Sequence, residues 1–388
     1  MLRVLAFATG LTVTVATCLS AVTTVVVPRG VRSRLSRAVF GGIRRLFDLW
    51  GRFAPTYAER DRAMALYAPI SLVLLPAAWL SVVLLAYTLM FWALGVQPLR
   101  AAFETSGSSL LTLGFAQVHD LPSTMLAVSE AVIGLILLAL LITYLPSMYA
   151  AFQRRELRVT MLTIQAGDPP TVVELIQRFH ILQDFSALDV EVFRPWSVWF
   201  VDVEESHTSL AAMPFFRSPS PRRSWITAAG TVLDVAALHD STLDVPRSPI
   251  ANLMIRSGYL SLRAVADTFA IPHDPDPHPG DPISVTRAEY DELYDTLAGL
   301  GMPLKPDRDQ CWRDFSGWRV NYDTVLTVLA GFVVAPPAPW ISDRGPVFTD
   351  PAAPRPGFHR RRPKPPAAAR RAAGGRAGIA GRRGTMDQ

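Results

Sequence analysis

Lysine is almost missing from this chain. Lys305 and Lys364 are the only two, so 36 of the 38 basic residues are arginine. Cysteine is equally scarce: Cys18 and Cys311 lie far apart and frame neither a disulfide scaffold nor a zinc site. No glycine-rich phosphate loop follows a candidate strand, which argues against a Rossmann-type nucleotide-binding domain. No two histidines stand in the His-x-x-x-His spacing of a helical metal site. Charge is also missing over long runs. Residues 4–28 and 63–99 contain no Asp, Glu, Lys or Arg.

Those charge-free runs set the membrane reading. Residues 4–28 are long enough to cross a hydrocarbon core of about 30 Å as a helix. A cleaved signal peptide is the alternative, and Val15-Ala16-Thr17-Cys18 approaches a lipoprotein cleavage pattern. Thr17 fits poorly before the cysteine, and the apolar run continues through Val25-Val26-Val27 without a small-residue cleavage site. The expectation is therefore a retained N-terminal transmembrane helix over 1–28.

Residues 29–62 form a basic segment: nine arginines stand against Asp48, Glu59 and Asp61. By the positive-inside rule it is cytoplasmic. Leu35, Val39, Phe40, Ile43, Phe47, Trp50 and Phe53 recur every three or four positions, which predicts an amphipathic helix. It would lie at the anionic inner leaflet, or pack its apolar face on the spanning helices. Residues 63–152 hold two further spans. The first covers 67–94, with Pro76 inside it and Trp79, Tyr87 and Trp92 suited to interfaces. The second covers about 123–152 and is closed by Arg154, Arg155 and Arg158. The topology is that of a multi-pass plasma-membrane protein with its N-terminus outside and its C-terminal domain cytoplasmic.

Between these spans, residues 101–117 are too polar to cross a membrane. Thr105, Ser106, Ser108, Ser109 and Thr112 crowd before a Leu-Gly-Phe. A polar helix followed by a loop between two spans is the pattern of a re-entrant pore loop. Non-helical backbone survives at membrane depth only where protein or a water-filled cavity satisfies it. The alternative is an ordinary external loop.

Thr112-Leu113-Gly114-Phe115-Ala116 resembles the potassium-channel filter sequence Thr-Val-Gly-Tyr-Gly. The resemblance covers residues 66–152 and points to a bacterial pore-loop cation channel of the two-transmembrane class. In that family four loops line a pore with carbonyls that replace the ion's hydration shell. It therefore implies a homotetramer with K+ as the permeant ion and no cofactor. It places Glu104, Ser108 and Ser109 on the pore helix, and offers Gly134 and Pro146 on the second span as gating candidates. Ala116 departs from the family's second glycine and lacks glycine's freedom at positive φ, so strict potassium selectivity is not implied. Gln117 replaces the family's usual acidic residue.

Each of these residues has a plainer reading. Gly134 would also serve close helix packing, and Pro146 would also mark the end of the span. Glu104 suits the start of a helix by its charge. Glu130 is an acid within the second span, where such groups are costly and usually functional, unless the helix begins late enough to leave it at the interface.

Residues 153–345 read as an acidic, mainly helical cytoplasmic domain. Helical spacing covers 171–182, 225–238, 249–269, 286–300 and 309–334, and the segment from Trp196 starts either a buried helix or a strand. Residues 153–350 hold 17 basic and 26 acidic side chains. Enzyme signals are weak. His273-Asp274-Pro275-Asp276-Pro277-His278-Pro279-Gly280-Asp281 has five potential ligands, but its alternating prolines splay them, as in a solvated linker. Glu204-Glu205-Ser206-His207-Thr208-Ser209 has the ingredients of a nucleophilic site without informative spacing, and His207 reads as a structural histidine. Residues 346–388 are rich in Pro, Ala, Gly and Arg and read as a disordered basic tail.

The expected fold is thus an all-α membrane protein: three transmembrane helices with a re-entrant pore loop, a mainly helical cytoplasmic domain and a disordered tail. The expected function is passive conduction of monovalent cations, without enzymatic activity. The alternatives are a membrane-anchored sensor or scaffold, and then a membrane-bound enzyme using His207 or the 273–281 loop. Expected partners are the membrane and copies of this chain, with anionic lipid at 29–62 and 351–388 and no nucleic acid. The chain has no arginine-rich voltage-sensor helix.

Overall fold

The computed structural model describes residues 1–25, 34–51, 57–210 and 212–344. The predicted tail at 346–388 and part of the basic segment lie outside the described residues.

Helix α1 (Leu2–Val25), α4 (Tyr67–Leu94) and α6 (Leu121–Ala166) are long and apolar enough to cross a membrane. Small residues let α1 approach α4. A Cβ on Gly10 would stand 2.5 Å from Ala86 O, and Thr14, Thr17, Ser20 and Ala21 are buried along the same helix. Trp79 Nε1 of α4 donates to Ser20 Oγ at 3.2 Å. The N-terminal segment is thus part of this fold's packing, not an appendage to it.

Helix α2 (Arg34–Gly51) is the predicted amphipathic helix. Of the two placements for its apolar face, the structure shows packing: Phe47 is buried, and Phe40 and Ile43 lean on the same core. The Arg44 guanidinium lies over the Tyr67 and Phe215 rings, 5.5 and 5.3 Å from their centres. Leu46, Leu49 and Trp50 remain exposed. The short α3 (Tyr57–Ala65) then leads into α4. Gly95, at φ +110°, closes α4, a conformation that glycine adopts at little cost.

Between α4 and α6 lies the short α5 (Leu99–Leu110). Helix α6 begins where Asp120 accepts the Ser123 amide at 3.0 Å. It passes Pro146, Arg154 and Arg155 without a break and ends only at Ala166. Pro146 therefore does not end the helix, and the predicted 123–152 segment falls in about the N-terminal two thirds of a 46-residue rod. At 1.5 Å per residue that rod is about 69 Å long, more than twice a hydrocarbon core.

The rest of the chain packs around helix α9 (Trp225–Ser241), every residue of which is buried. Around it lie α6, α7 (Val172–Ile181), α10 (Pro249–Thr268), α12 (Arg308–Arg319) and α13 (Asp323–Phe332). Helices α8 (Arg194–Ser209) and α11 (Arg287–Gly299) complete this part. The segment from Trp196 is helical, and among the described residues no strand forms, only an isolated bridge between Leu243 and Leu304.

The spacing that predicts one helix over 309–334 is divided in two. Asn321 turns its side-chain amide back onto Gly317 O and Trp318 O, both at 3.1 Å, and its own carbonyl is taken by Arg263. A side chain that competes for backbone partners in this way ends a helix that apolar spacing alone would continue.

Candidate functional site

Helix α5 owes its position to small and hydroxylated residues. Thr105, Ser106 and Ser108 are buried, and Gly107 faces Leu84 of α4. Ser106 Oγ reaches Leu84 O at 2.9 Å and Glu130 Oε1 of α6 at 2.5 Å. One turn later the end of α5 meets α6 so closely that a Cβ on Gly134 would stand 2.1 Å from Leu110 O. The pairs Ser106–Glu130 and Leu110–Gly134 share one sequence offset, so α5 runs parallel to α6.

Depth along the bundle follows from these pairs. Gly134 lies 13 residues into α6, about 20 Å from its start at 1.5 Å per residue. Leu84 lies ten residues before the end of α4, about 15 Å from it. Helix α5 therefore descends between the two long helices from their shared end. Residues 111–120 then climb back outside any helix. Ten extended residues reach roughly 33 Å, enough for the return.

The turn at the bottom is held by Ser108. Its carbonyl accepts the Leu113 amide at 2.8 Å and its Oγ accepts the Ala116 amide at 3.0 Å. Ser109 O accepts the Thr112 amide at 3.0 Å. Thr112 and Gly114 take positive φ, +53° and +72°. Gly114 needs its glycine here, and β-branched Thr112 is strained. Ala116 is not at positive φ, so this conformation makes no demand for a second glycine. The Leu113 and Phe115 side chains are 61% and 64% exposed. Among the described residues, no hydrogen bond ends on the carbonyls of Thr112, Leu113, Gly114, Phe115 or Ala116.

The structure thus brings Ser108, Ser109 and residues 112–116 together, with Gly134 beneath them. Gly134 takes the close-packing role. Glu104 points away and pairs with exposed Arg100 at 2.8 Å. Pro146 lies three turns of α6 beyond Gly134, apart from the loop. Ser106 is the residue whose role sequence reasoning missed. Its partnership with Glu130 had no local signal, because it joins positions 24 apart.

The enzyme candidates lie elsewhere. His207 is fully buried: its ring lies 4.6 Å from Trp225, Ser206 Oγ is 3.0 Å from Nδ1, and Arg155 Nη1 is 3.3 Å from Nε2. Burial, with Arg155 adding to it, holds His207 well below the ordinary histidine range. Glu204 turns to Ser261 at 3.0 Å and does not join it. In the 273–281 loop the carboxylates cap backbone: Asp274 accepts the Asp276 amide at 2.9 Å, and Asp281 the His278 amide at 2.8 Å. Among the described residues no three His, Cys, Asp or Glu side chains converge on a common point.

A buried ionic cluster ties α9, α12 and α13. Arg319 binds Asp234, and its Nε donates to Asp323 at 2.8 Å. Tyr322 Oη adds a bond to Asp234 at 2.9 Å, and Ser284 caps Asp323 at 2.7 Å. All of its charged members are paired, so it reads as structural glue.

Comparison of the chain with protein-family models, with curated proteins and with solved structures gave no match.

Proposed function

We propose that this chain is one subunit of a channel that passes monovalent cations through a pore lined by residues 112–116. The observation that carries the reading is the descent of α5 between α4 and α6, followed by a non-helical return with unpaired carbonyls. In a membrane, such backbone is stable only where protein or a water-filled cavity satisfies it, and among the described residues no protein group bonds these carbonyls. Carbonyls that face a permeation path are the groups that can replace an ion's water. One chain supplies one loop, so a closed ring needs copies, and four is the number implied by the filter-like sequence.

In this reading α1, α4 and α6 span the cell membrane, the loop opens outward, and the acidic helical part lies in the cytoplasm. Nine arginines in 29–62 support that orientation. Helix α6 would gate: its Gly134 is seated on the end of α5, so any displacement of α6 moves the base of the loop.

The test is flux from liposomes holding the purified chain, measured for K+ and Na+ beside Gly114→Asp. Among the described residues, its own chain neighbours aside, no atom lies within 4 Å of a Cβ at Gly114, so this substitution acts through backbone conformation and charge, not a clash. Potassium-preferring flux that Gly114→Asp abolishes is the expected result. Equal fluxes of both ions would retain the pore and remove the selectivity. A folded tetramer or monomer that passes neither ion would favour the membrane-anchored scaffold.

A further inference from the structure

Glu130 is fully buried in α6, and among the described residues no cation pairs with it. Its Oε1 lies 2.5 Å from Ser106 Oγ, and Ser106 Oγ lies 2.9 Å from Leu84 O. Its Oε2 has no hydrogen-bond partner. Three oxygens in two contacts need two hydrogens. A main-chain carbonyl has none to give and a serine hydroxyl has one. If Glu130 were a carboxylate, one contact would set two oxygens together with no hydrogen between them.

A neutral acid completes the count. The Glu130 O–H donates to Ser106 Oγ, and the Ser106 O–H donates to Leu84 O. The unpartnered Oε2 is then a neutral carbonyl oxygen, which is far less costly to bury than half of an unpaired charge. Few other titratable groups surround it. Tyr87 of α4, whose hydroxyl is 3.0 Å from Ser129 Oγ, is close enough to interact electrostatically with both Glu130 and Cys18 of α1. Glu104, the acid on α5, is exposed and paired with Arg100.

We infer that Glu130 is a proton-bearing positioning residue: its neutral carboxyl chains α6 to α5 and α4, and loss of that proton unseats α5 and the loop above Ser108. The effect on conduction rests on the channel reading; the proton itself does not. Alkaline conditions remove the proton, so conduction falls as pH rises.

The assignment is read by infrared difference spectroscopy of the full chain in lipid, wild type against Glu130→Gln. The expected difference is a carbonyl stretch of a protonated carboxylic acid, present in wild type and lost in the variant. Ser106→Ala should move that band to higher frequency, because the acid loses its acceptor. A carboxylate stretch in place of the acid band, or a band indifferent to Ser106→Ala, would overturn the assignment. Flux at rising pH is read in parallel. Wild type should lose flux on the alkaline side, and Glu130→Gln, whose amide still donates to Ser106, should show no such loss. Identical pH profiles in the two would overturn the positioning role. Absence of flux at every pH would instead overturn the channel reading, with the infrared band still deciding the proton.

Discussion

His207 has no room for a second ring proton. With Arg155 donating toward Nε2, the ring proton belongs on Nδ1, facing Ser206 Oγ. Adding a proton at Nε2 would set an imidazolium against a buried guanidinium. In the unfolded chain the same histidine titrates at about 6.5. The unfolded state therefore binds more protons once pH falls below that value, and stability declines on acidification. His207→Gln, which is neutral at every pH, should remove this contribution. Thermal unfolding midpoints of wild type should drop faster between neutral and mildly acidic pH than those of the variant. Parallel curves would place the acid sensitivity elsewhere.

At the scale of elements, the contact between α5 and α6 is the most demanding in the membrane portion. Apolar burial alone would not align them, because α5 is a polar helix. Alignment comes from the Ser106–Glu130 bond and from the close approach at Gly134. Gly134→Val would place carbon against the last carbonyl of α5 and force the two helices apart. Overpacking of this kind typically costs about 1–3 kcal/mol. The expected result is a lower unfolding midpoint in detergent, set against a small change for Gly107→Ala, whose Cβ would meet only Leu84 Cδ1 at 3.7 Å. Equal effects of the two would mean that Gly134 does not set the depth of α5.

The molecule as a whole is bound together by α6, which runs unbroken from the loop into the C-terminal helices. A second tie sits at the base of α4. Asp61 pairs with Arg217 at 3.0 Å, Tyr57 Oη donates to Val334 O at 3.2 Å, and Tyr67 stacks edge-on against Phe215 at 5.3 Å. The C-terminal helices are therefore in direct contact with two long helices, α4 and α6. The exposed Leu113 and Phe115 need neighbours if their loop lines a pore, and further copies of the chain would supply them. Native mass spectrometry from detergent should return four times the 42.6 kDa chain mass. A monomer would contradict the channel reading.

The long helices were legible in the sequence because apolar length and missing charge act locally: nothing but a helix satisfies the backbone of residues 67–94 in a membrane. Asp120 before α6 and the Thr286–Glu289 capping box before α11 are local signals of the same kind, although the reading by apolar spacing did not draw on them. The filter-like Thr112–Ala116 stood out as a short pattern. Other features depended on residues far apart in the chain. Ser106 with Glu130, Leu110 with Gly134, and Arg319 between Asp234 and Asp323 are pairings that periodicity does not encode. The extent of α6 past Arg154 and Arg155 was likewise a tertiary outcome. Charge at 154 and 155 reads as the end of a span, yet Arg155 is fully buried, with Met213 O and Phe216 O accepting from it at 3.0 and 2.7 Å and Glu156 paired to it at 2.8 Å. Local sequence determined which segments are helices and which could cross a membrane. Only the folded chain decided where the polar residues among them find partners, because a buried charge or hydroxyl is stable only where distant parts of the chain supply its hydrogen bonds.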